Sequence, residues 1–353
     1  MSLISFARGL RIAGTLSLAV VAALACERAH VPLPWMIGPL LATALASVLG
    51  APVDTAAPLR NAGQWAIGTA LGLYFTPEVL RTIVTLAPVL LAGIVWALVL
   101  GFFFYRVLAA VSSAHTPQEH ATAFFAAAIG GASEMAVLGE HHGGRIDRIA
   151  AAHSLRVLIV VVAIPFGLQI AGLRGIDAAA PGPAQVHLGG LLLLGVLTVI
   201  GAFAAARLRM PNAWVLGPLA VALVLTGSEM ELSALPRAVL NGGQLVIGVS
   251  LGTRFTPAFA RSAPRWLAAV ALGSIAMIVV SGLFAVGLAR VAGLHWVTVL
   301  LGTSPGGIAE MCITAKVMQL GVPVVTAFHV TRYVAVLLST GVVYRRWVAV
   351  SSA

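Results

Sequence analysis

Gly306-Gly307-Ile308-Ala309-Glu310-Met311, followed by His329-Val330-Thr331-Arg332, is the stretch that decides how this chain is read. It sets charge into a 353-residue sequence that is 60% hydrophobic and only 9% charged. The same pattern occurs earlier as Gly130-Gly131-Ala132-Ser133-Glu134-Met135 and His153-Ser154-Leu155-Arg156. Glutamate and histidine are nineteen residues apart both times, and the two copies are offset by 176 residues. A single GGxxEM is within reach of chance. A matched GGxxEM-x17-HxxR in each half is a duplication that kept its charged residues.

Working outward, further blocks repeat at nearly the same offset. Pro32-Leu33-Pro34-Trp35-Met36-Ile37-Gly38-Pro39-Leu40 pairs with Pro211-Asn212-Ala213-Trp214-Val215-Leu216-Gly217-Pro218-Leu219. Asn61-Ala62-Gly63-Gln64 pairs with Asn241-Gly242-Gly243-Gln244, and the likeness runs on through Phe75-Thr76-Pro77 and Phe255-Thr256-Pro257. Each half holds six apolar segments, near 12–27, 36–50, 60–75, 84–110, 120–139 and 149–172, then 187–206, 213–228, 240–254, 266–289, 296–318 and 322–344. The chain therefore divides into a membrane repeat at 1–172, a linker at 173–186 and a second membrane repeat at 187–353.

Segments of this length and a mean hydropathy of +1.02 match what crossing a hydrocarbon core of about 30 Å by helix requires. Inside a bilayer only helices or closed barrels satisfy their own backbone groups, and these runs lack the alternation of barrel strands. The fold class read from sequence is an all-α polytopic membrane protein. The formal charge of +10 does not point to nucleic acid, because its arginines are scattered singly between apolar runs rather than clustered. Cys26 and Cys312 suit small packing residues. The N-terminal run after Arg8 and Arg11 resembles a signal peptide, but its counterpart near 187–206 is internal, so it is read as a retained first span.

Basic residues then test the topology. If all twelve segments cross, they divide evenly between the two sides. If the two Gly-Gly-Glu segments instead enter and leave on one face, a clear majority falls on the cytoplasmic side, as the positive-inside rule asks. Each half then has five full spans, an odd number, so the second copy is inverted, with both termini cytoplasmic. Inverted repeats with interrupted segments near the midplane are a feature of secondary transporters.

The candidate binding residues follow from the same blocks. Gly130 and Gly131, and Pro305, Gly306 and Gly307, oppose a continuous helix, since Gly costs about 1 kcal/mol against Ala and Pro about 3. A half-helix starting after such a break presents N–H groups and a positive dipole end, a natural anion site, although a packing kink is the plainer reading. Glu134 and Glu310 are costly at membrane depth and suit proton or sodium exchange, or a structural role at a helix N-terminus. His153 with Arg156, and His329 with Arg332, share a helix face at i,i+3. They fit either a proton relay beside an anion-holding guanidinium or an ion pair to the glutamates that locks helices together. In the first reading, Arg332→Gln abolishes uptake and leaves folding intact. Gln64 and Gln244 fit helix–helix hydrogen bonding and substrate contact equally. Glu140-His141-His142 with Asp147 lacks a counterpart in the second half and reads as a loop, so no metal site is expected. With no cofactor motif, P-loop or catalytic triad in view, no cofactor and no enzyme activity are expected.

The duplicated PWMIGPL, GQxxIGxxLG and PGGxxEM blocks, in order and twice, resemble the bacterial AbrB-type membrane-protein family over essentially the whole chain. The first copy departs from it with Ala128-Ile129-Gly130-Gly131 where the second has Ser304-Pro305-Gly306-Gly307. Members often carry the labels "ammonia monooxygenase" or "transcriptional regulator", and the residues support neither as chemistry. A further, fold-level likeness to antiporter and bile-acid-transporter folds with crossed broken helices suggests a homodimer, which no residue here requires. The resemblance implies a multi-pass protein of the bacterial inner membrane. The function expected is secondary transport of a small anionic or zwitterionic solute coupled to protons or sodium. The alternative is a membrane sensor that affects gene expression indirectly.

Overall fold

The computed structural model describes residues 3–112, 114–175, 185–257 and 264–348. Within them the regular structure is fifteen α-helices, a short π-helical turn at Tyr344–Val348, and no strand. The chain is a polytopic α-helical membrane protein. Among the described residues six helices are long and apolar enough to cross a bilayer, three from each half. The centre of the expected linker, 176–184, lies outside the described residues.

In chain order the first repeat comprises α1 (Leu3–Arg28), α2 (Pro34–Val48), α3 (Ala57–Gly72), α4 (Pro77–Thr85), α5 (Ala87–Val111), α6 (Pro117–Ala127), α7 (Ala132–His141) and α8 (Ile146–Ile170). The second comprises α9 (Leu188–Arg207), α10 (Ala213–Gly227), α11 (Arg237–Gly252), α12 (Pro264–Ala292), α13 (Trp296–Thr303), α14 (Ile308–Val317) and α15 (Val322–Val343). Two expected segments, 120–139 and 296–318, are each broken into a pair of half-helices. The segment expected from 84 starts instead at Ala87. Before it the chain forms the separate helix α4, and Pro88 in the first turn of α5 is tolerated only at a helix start, where its missing N–H has no partner to lose.

The repeats are units of sequence, while compactness divides the chain differently. One unit is Met1–Val84, Ile176–Ala260 and Lys316–Pro323; the other is Thr85–Gly175, Arg261–Ala315 and Val324–Ala353. Each draws on both repeats.

The first unit is built by reciprocal exchange. α2 packs on α11, and α3 on α10. Gly68 in α3 lies against the Val215 backbone, and its counterpart Gly248 in α11 against that of Met36. Gly72 meets Leu219 and Ala222; Gly252 meets Leu40 and Thr43. α3 and α11 cross at Gly63 and Gly243, where Gly63 faces Ile247 and Gly243 faces Ile67. Equivalent helices thus pass one another antiparallel. The loops before α2 and α10 share a backbone device too: His30 and Leu33, and Arg209 and Asn212, all have φ between 50° and 55°.

Lipid removes most of the hydrophobic drive for helices to associate, so close approach through small residues carries much of the packing. At Gly68 and Gly248 the obstacle to a side chain is main chain, which cannot swing aside. Gly68→Ala and Gly248→Ala should therefore each lower stability by roughly 1–3 kcal/mol. Gly9→Ala, at an α1 position open on all sides, should not destabilise the protein and should gain up to about 1 kcal/mol from helix propensity. Unfolding midpoints in mild detergent check this, and equal values would contradict the packing.

The second unit holds α5, α6, α7, α8, α12, α13, most of α14 and α15. α5 and α12 are also equivalents and also antiparallel: Trp96 stacks on Phe284 at 4.2 Å and bonds Ser281 at 3.2 Å, while Phe104 covers Gly273. Around α6 an aromatic cluster gathers Tyr105, His120, Phe124, Phe125, His142 and Tyr344. His142, part of the sequence once weighed for metal, packs edge-on to Tyr344 and bonds the Leu138 carbonyl through Nδ1 at 2.8 Å.

Candidate functional site

Each break is an extended link between two half-helices. α6 starts with a capping box of Thr116 and Glu119 and ends at Ala128, which is extended; α13 ends at Ser304, also extended. Neither glycine pair has positive φ, so conformational freedom is not why glycine stands there. Space is the reason. A β-carbon at Gly130 would meet the Met135 thioether, and at Gly306 that of Met311. At Gly131 it would collide with Glu134 Oε2, and at Gly307 with Glu310 Oε2. The GGxxEM spacing is therefore a packing rule: the first glycine seats the methionine and the second lies under the carboxylate. Each glutamate occupies the third position of its half-helix and folds back towards the helix start, where a carboxylate complements the dipole. Glu134 is partly exposed and Glu310 is 9% exposed.

The HxxR pairs serve the opposite half-helix ends. Arg156 donates to the carbonyls of Ala127 at 3.3 Å and Ala128 at 3.1 Å. Arg332 donates to those of Ser304 at 2.6 Å and Gly306 at 2.8 Å. The carbonyls of Ala127, Ala128 and Ser304 stand at the ends of α6 and α13, where helix bonding stops and the dipole is negative, and that of Gly306 stands in the break itself. Both guanidinium groups also donate to their own histidine, Nδ1 of His153 and of His329, at 2.8 Å. A guanidinium has no acceptor, so each Nδ1 must present its lone pair. The proton then sits on Nε2, which donates at 2.9 Å to the carbonyl of Phe125 or Leu301. Each HxxR is thus one rigid device closing a broken helix end.

This changes what sequence suggested for these residues. Instead of an ion pair to a glutamate, the arginine contacts given above go to main-chain oxygen and to the neighbouring histidine. The guanidinium forks expected to hold an anion are turned onto main-chain oxygen. The ring nitrogens expected to relay a proton are both engaged, because the arginine needs one and the carbonyl the other.

Direction of travel also emerges. Thr122 Oγ1 accepts from Arg145 N, Phe125 O pairs with His153, and Ala128 O pairs with Arg156, so α8 runs parallel to α6. The chain between them must return, and Gly139 and Gly144 in and after α7 lie against Phe125 and Thr122. α6 and α7 form a helical hairpin with the break at its tip. α15 approaches this hairpin from the opposite direction, with Tyr333 against Gly131 and Tyr344 against Phe124.

Glu134, His153, Arg156, Glu310, His329, Arg332 and both breaks therefore share one compact unit. Gln64 and Gln244 belong to the other. There Gln64 Nε2 donates to Asn212 Oδ1 at 3.2 Å, a helix-to-loop bond inside that unit. The position matching Asn212 in the first repeat is Leu33, which offers Gln244 no such acceptor.

Two residues that sequence did not single out complete the site. Phe328, 2% exposed, is wedged between Gly93 and Gly302. Tyr333, 8% exposed, stands over Gly131. Neither belongs to the repeat pattern, since their counterparts are Ala152 and Val157. Adjacency to His329 and Arg332 was the available signal.

The family described as "Transition state regulatory protein AbrB" matches residues 35–348. The chain belongs to the AbrB family. Among curated relatives, "Putative regulator AbrB" of Escherichia coli (strain K12) is 25% identical, covering 91% of each chain. "Uncharacterized protein YhjN" of Bacillus subtilis (strain 168) is 26% identical, covering 88% of this AbrB-family chain and 86% of its own length. No solved structure gives a significant match.

Proposed function

We propose that this AbrB-family protein is a secondary transporter of the bacterial inner membrane, with two inverted repeats of five spans and one re-entrant hairpin each. The observation that carries the reading is the pair of broken segments in one compact unit, each with a carboxylate at the start of one half-helix and a buried arginine closing the other. Backbone broken at membrane depth is tolerated where it lines a cavity, and ionisable groups there mark solute and ion pathways. The antiparallel crossings of α3 with α11 and of α5 with α12 support inversion.

The glutamates are the groups that take up the coupling cation, a proton or sodium. The arginines hold the breaks open and supply positive charge without being direct ligands. Of the solute classes expected, a zwitterion suits this better than a simple anion, because a carboxylate already stands at each half-helix start. Arg8, Arg11, Arg145, Arg148, Arg345 and Arg346 fall on the cytoplasmic side in this topology.

Charge movement by purified protein in liposomes on a capacitive sensor tests the reading. Jumps of amino acids, small organic anions and sodium are compared in wild type and Glu310→Gln. A sustained solute-dependent current that falls at least about tenfold in the variant is the expected result. No current from any solute with folded protein would overturn transport. It would favour a membrane sensor, the reading that the name of the Escherichia coli relative suggests.

A further inference from the structure

Arg332 and Tyr333 are neighbours on α15 and reach different breaks. Arg332 closes the second, donating to the carbonyls of Ser304 and Gly306. Tyr333 stands over the first, where a β-carbon at Gly131 would meet the Glu134 carboxylate and also lie 2.9 Å from Cε2 of the Tyr333 ring. The Tyr333 hydroxyl is a hydrogen-bond partner of that carboxylate. Among the described residues no other group stands in bonding geometry to it. An ionised carboxylate only accepts, so the phenol donates. Successive residues of a helix point about 100° apart, which lets one helix serve two breaks. The first repeat lacks the equivalent. Arg156 on α8 closes the end of α6, but the next residue is Val157, which has no donor to offer Glu310. The atoms nearest Gly307 all belong to Glu310 itself.

We infer that Tyr333 is a positioning residue for Glu134, and that α15 thereby links the carboxylate of the first break to the guanidinium closing the second. The ring is 8% exposed, so packing fixes where its hydroxyl points. A hydrogen bond to an ionised group is among the stronger kinds, and this one holds the carboxylate at the start of α7. When Glu134 takes up its cation, the carboxylate charge is shared and the bond weakens. The element that feels this first is α15, whose preceding residue carries the second break. Glu310 keeps the same cation role, but the matching helix gives it no phenol. The inference deepens the transport reading and rests on it only for the part played by the cation. The hydrogen bond and the link along α15 stand without it.

The test reads the phenol directly. Infrared spectra of the purified full-length protein with ring-labelled tyrosine are compared with those of Tyr333→Phe, and the difference isolates the C–O stretch of Tyr333. That band should be that of a phenol donating to a carboxylate. Glu134→Ala should move it to the position of a phenol without that acceptor, and Glu310→Ala should leave it in place. Arg332→Lys, a change at the second break, should move it in part. Unfolding in detergent gives a second readout, because phenylalanine keeps the ring packing and removes the hydroxyl alone. Tyr333→Phe should raise the unfolding equilibrium constant roughly fivefold in the wild-type and Glu310→Ala backgrounds, and by less than about twofold in Glu134→Ala. A band indifferent to Glu134→Ala, or an equal effect of Tyr333→Phe in all three backgrounds, overturns the positioning role. A band indifferent to Arg332→Lys overturns the link; should that variant not fold, Pro305→Ala disturbs the second break in its place and the same outcomes decide. Absence of solute current with these results intact would defeat the transport reading alone, and current without them would defeat only this inference.

Discussion

Arg332→Met is expected to lower the stability of the protein by roughly 3 kcal/mol, before any question of transport arises. The side chain is 5% exposed and its N–H groups close the main chain at Ser304 and Gly306, where no helix bond does so. Methionine fills the volume but leaves those carbonyls buried without donors. Hydrogen bonds in membrane proteins often measure below 1 kcal/mol because the unfolded chain finds other partners. Here two bonds, a third to His329 and a positive charge at a helix C-terminus are lost together. Arg332→Lys should recover only part of the loss, since an ammonium is a point charge that cannot bridge carbonyls as a planar fork does. Chemical unfolding in detergent measures both. A loss under about 1 kcal/mol for the methionine variant would show that the break does not depend on this side chain. The expectation from sequence, that Arg332→Gln would spare the fold, is revised accordingly.

Gly131→Ala carries the second large effect, and it falls on activity. The added methyl would collide with Glu134 Oε2 and press on the Tyr333 ring, so the carboxylate must leave the start of α7. Solute-driven charge movement should fall at least about tenfold, the equivalent of about 1.4 kcal/mol. Gly307→Ala displaces Glu310 in the same way, but its three nearest contacts all belong to that carboxylate rather than to a packed ring, so its loss should be the smaller of the two. Gly130→Ala meets the flexible Met135 side chain first and should be the mildest. Equal activity in all three variants would remove the glutamates' placement from the account.

The duplication and its consequences for the fold were legible because membrane helices must be apolar throughout, and repeated Gly, Pro and Glu stand out against that background. Gly130-Gly131 and Gly306-Gly307 lie between the half-helices, which end at Ala127 and Thr303 and resume at Ala132 and Ile308. Their reason was not legible. Sequence suggested helix breaking, whereas the glycines make room for Met135 and Glu134, or Met311 and Glu310. The roles of Arg156 and Arg332 were also hidden, because their partners are main-chain carbonyls, which every residue carries and no motif reports. Tyr333 escaped notice for a different reason. Attention to what the halves share cannot find a residue that only one half has, and Val157 occupies the matching place. α4 was missed because Pro77–Thr85 reads partly as connection and partly as the start of the next apolar run.

Single-cysteine labelling in intact cells tests the central claim most directly. Cys26 and Cys312 are first replaced, and cysteines are introduced singly at His115, Gly143, His295 and Gln319, all exposed residues flanking the broken segments. Inverted re-entrant hairpins predict His115 and Gly143 on the cytoplasmic side, closed to an impermeant thiol reagent. They predict His295 and Gln319 both open to it from outside. His115 and Gly143 on opposite sides of the membrane would contradict the account, because the first broken segment would then cross and the repeats would not be inverted.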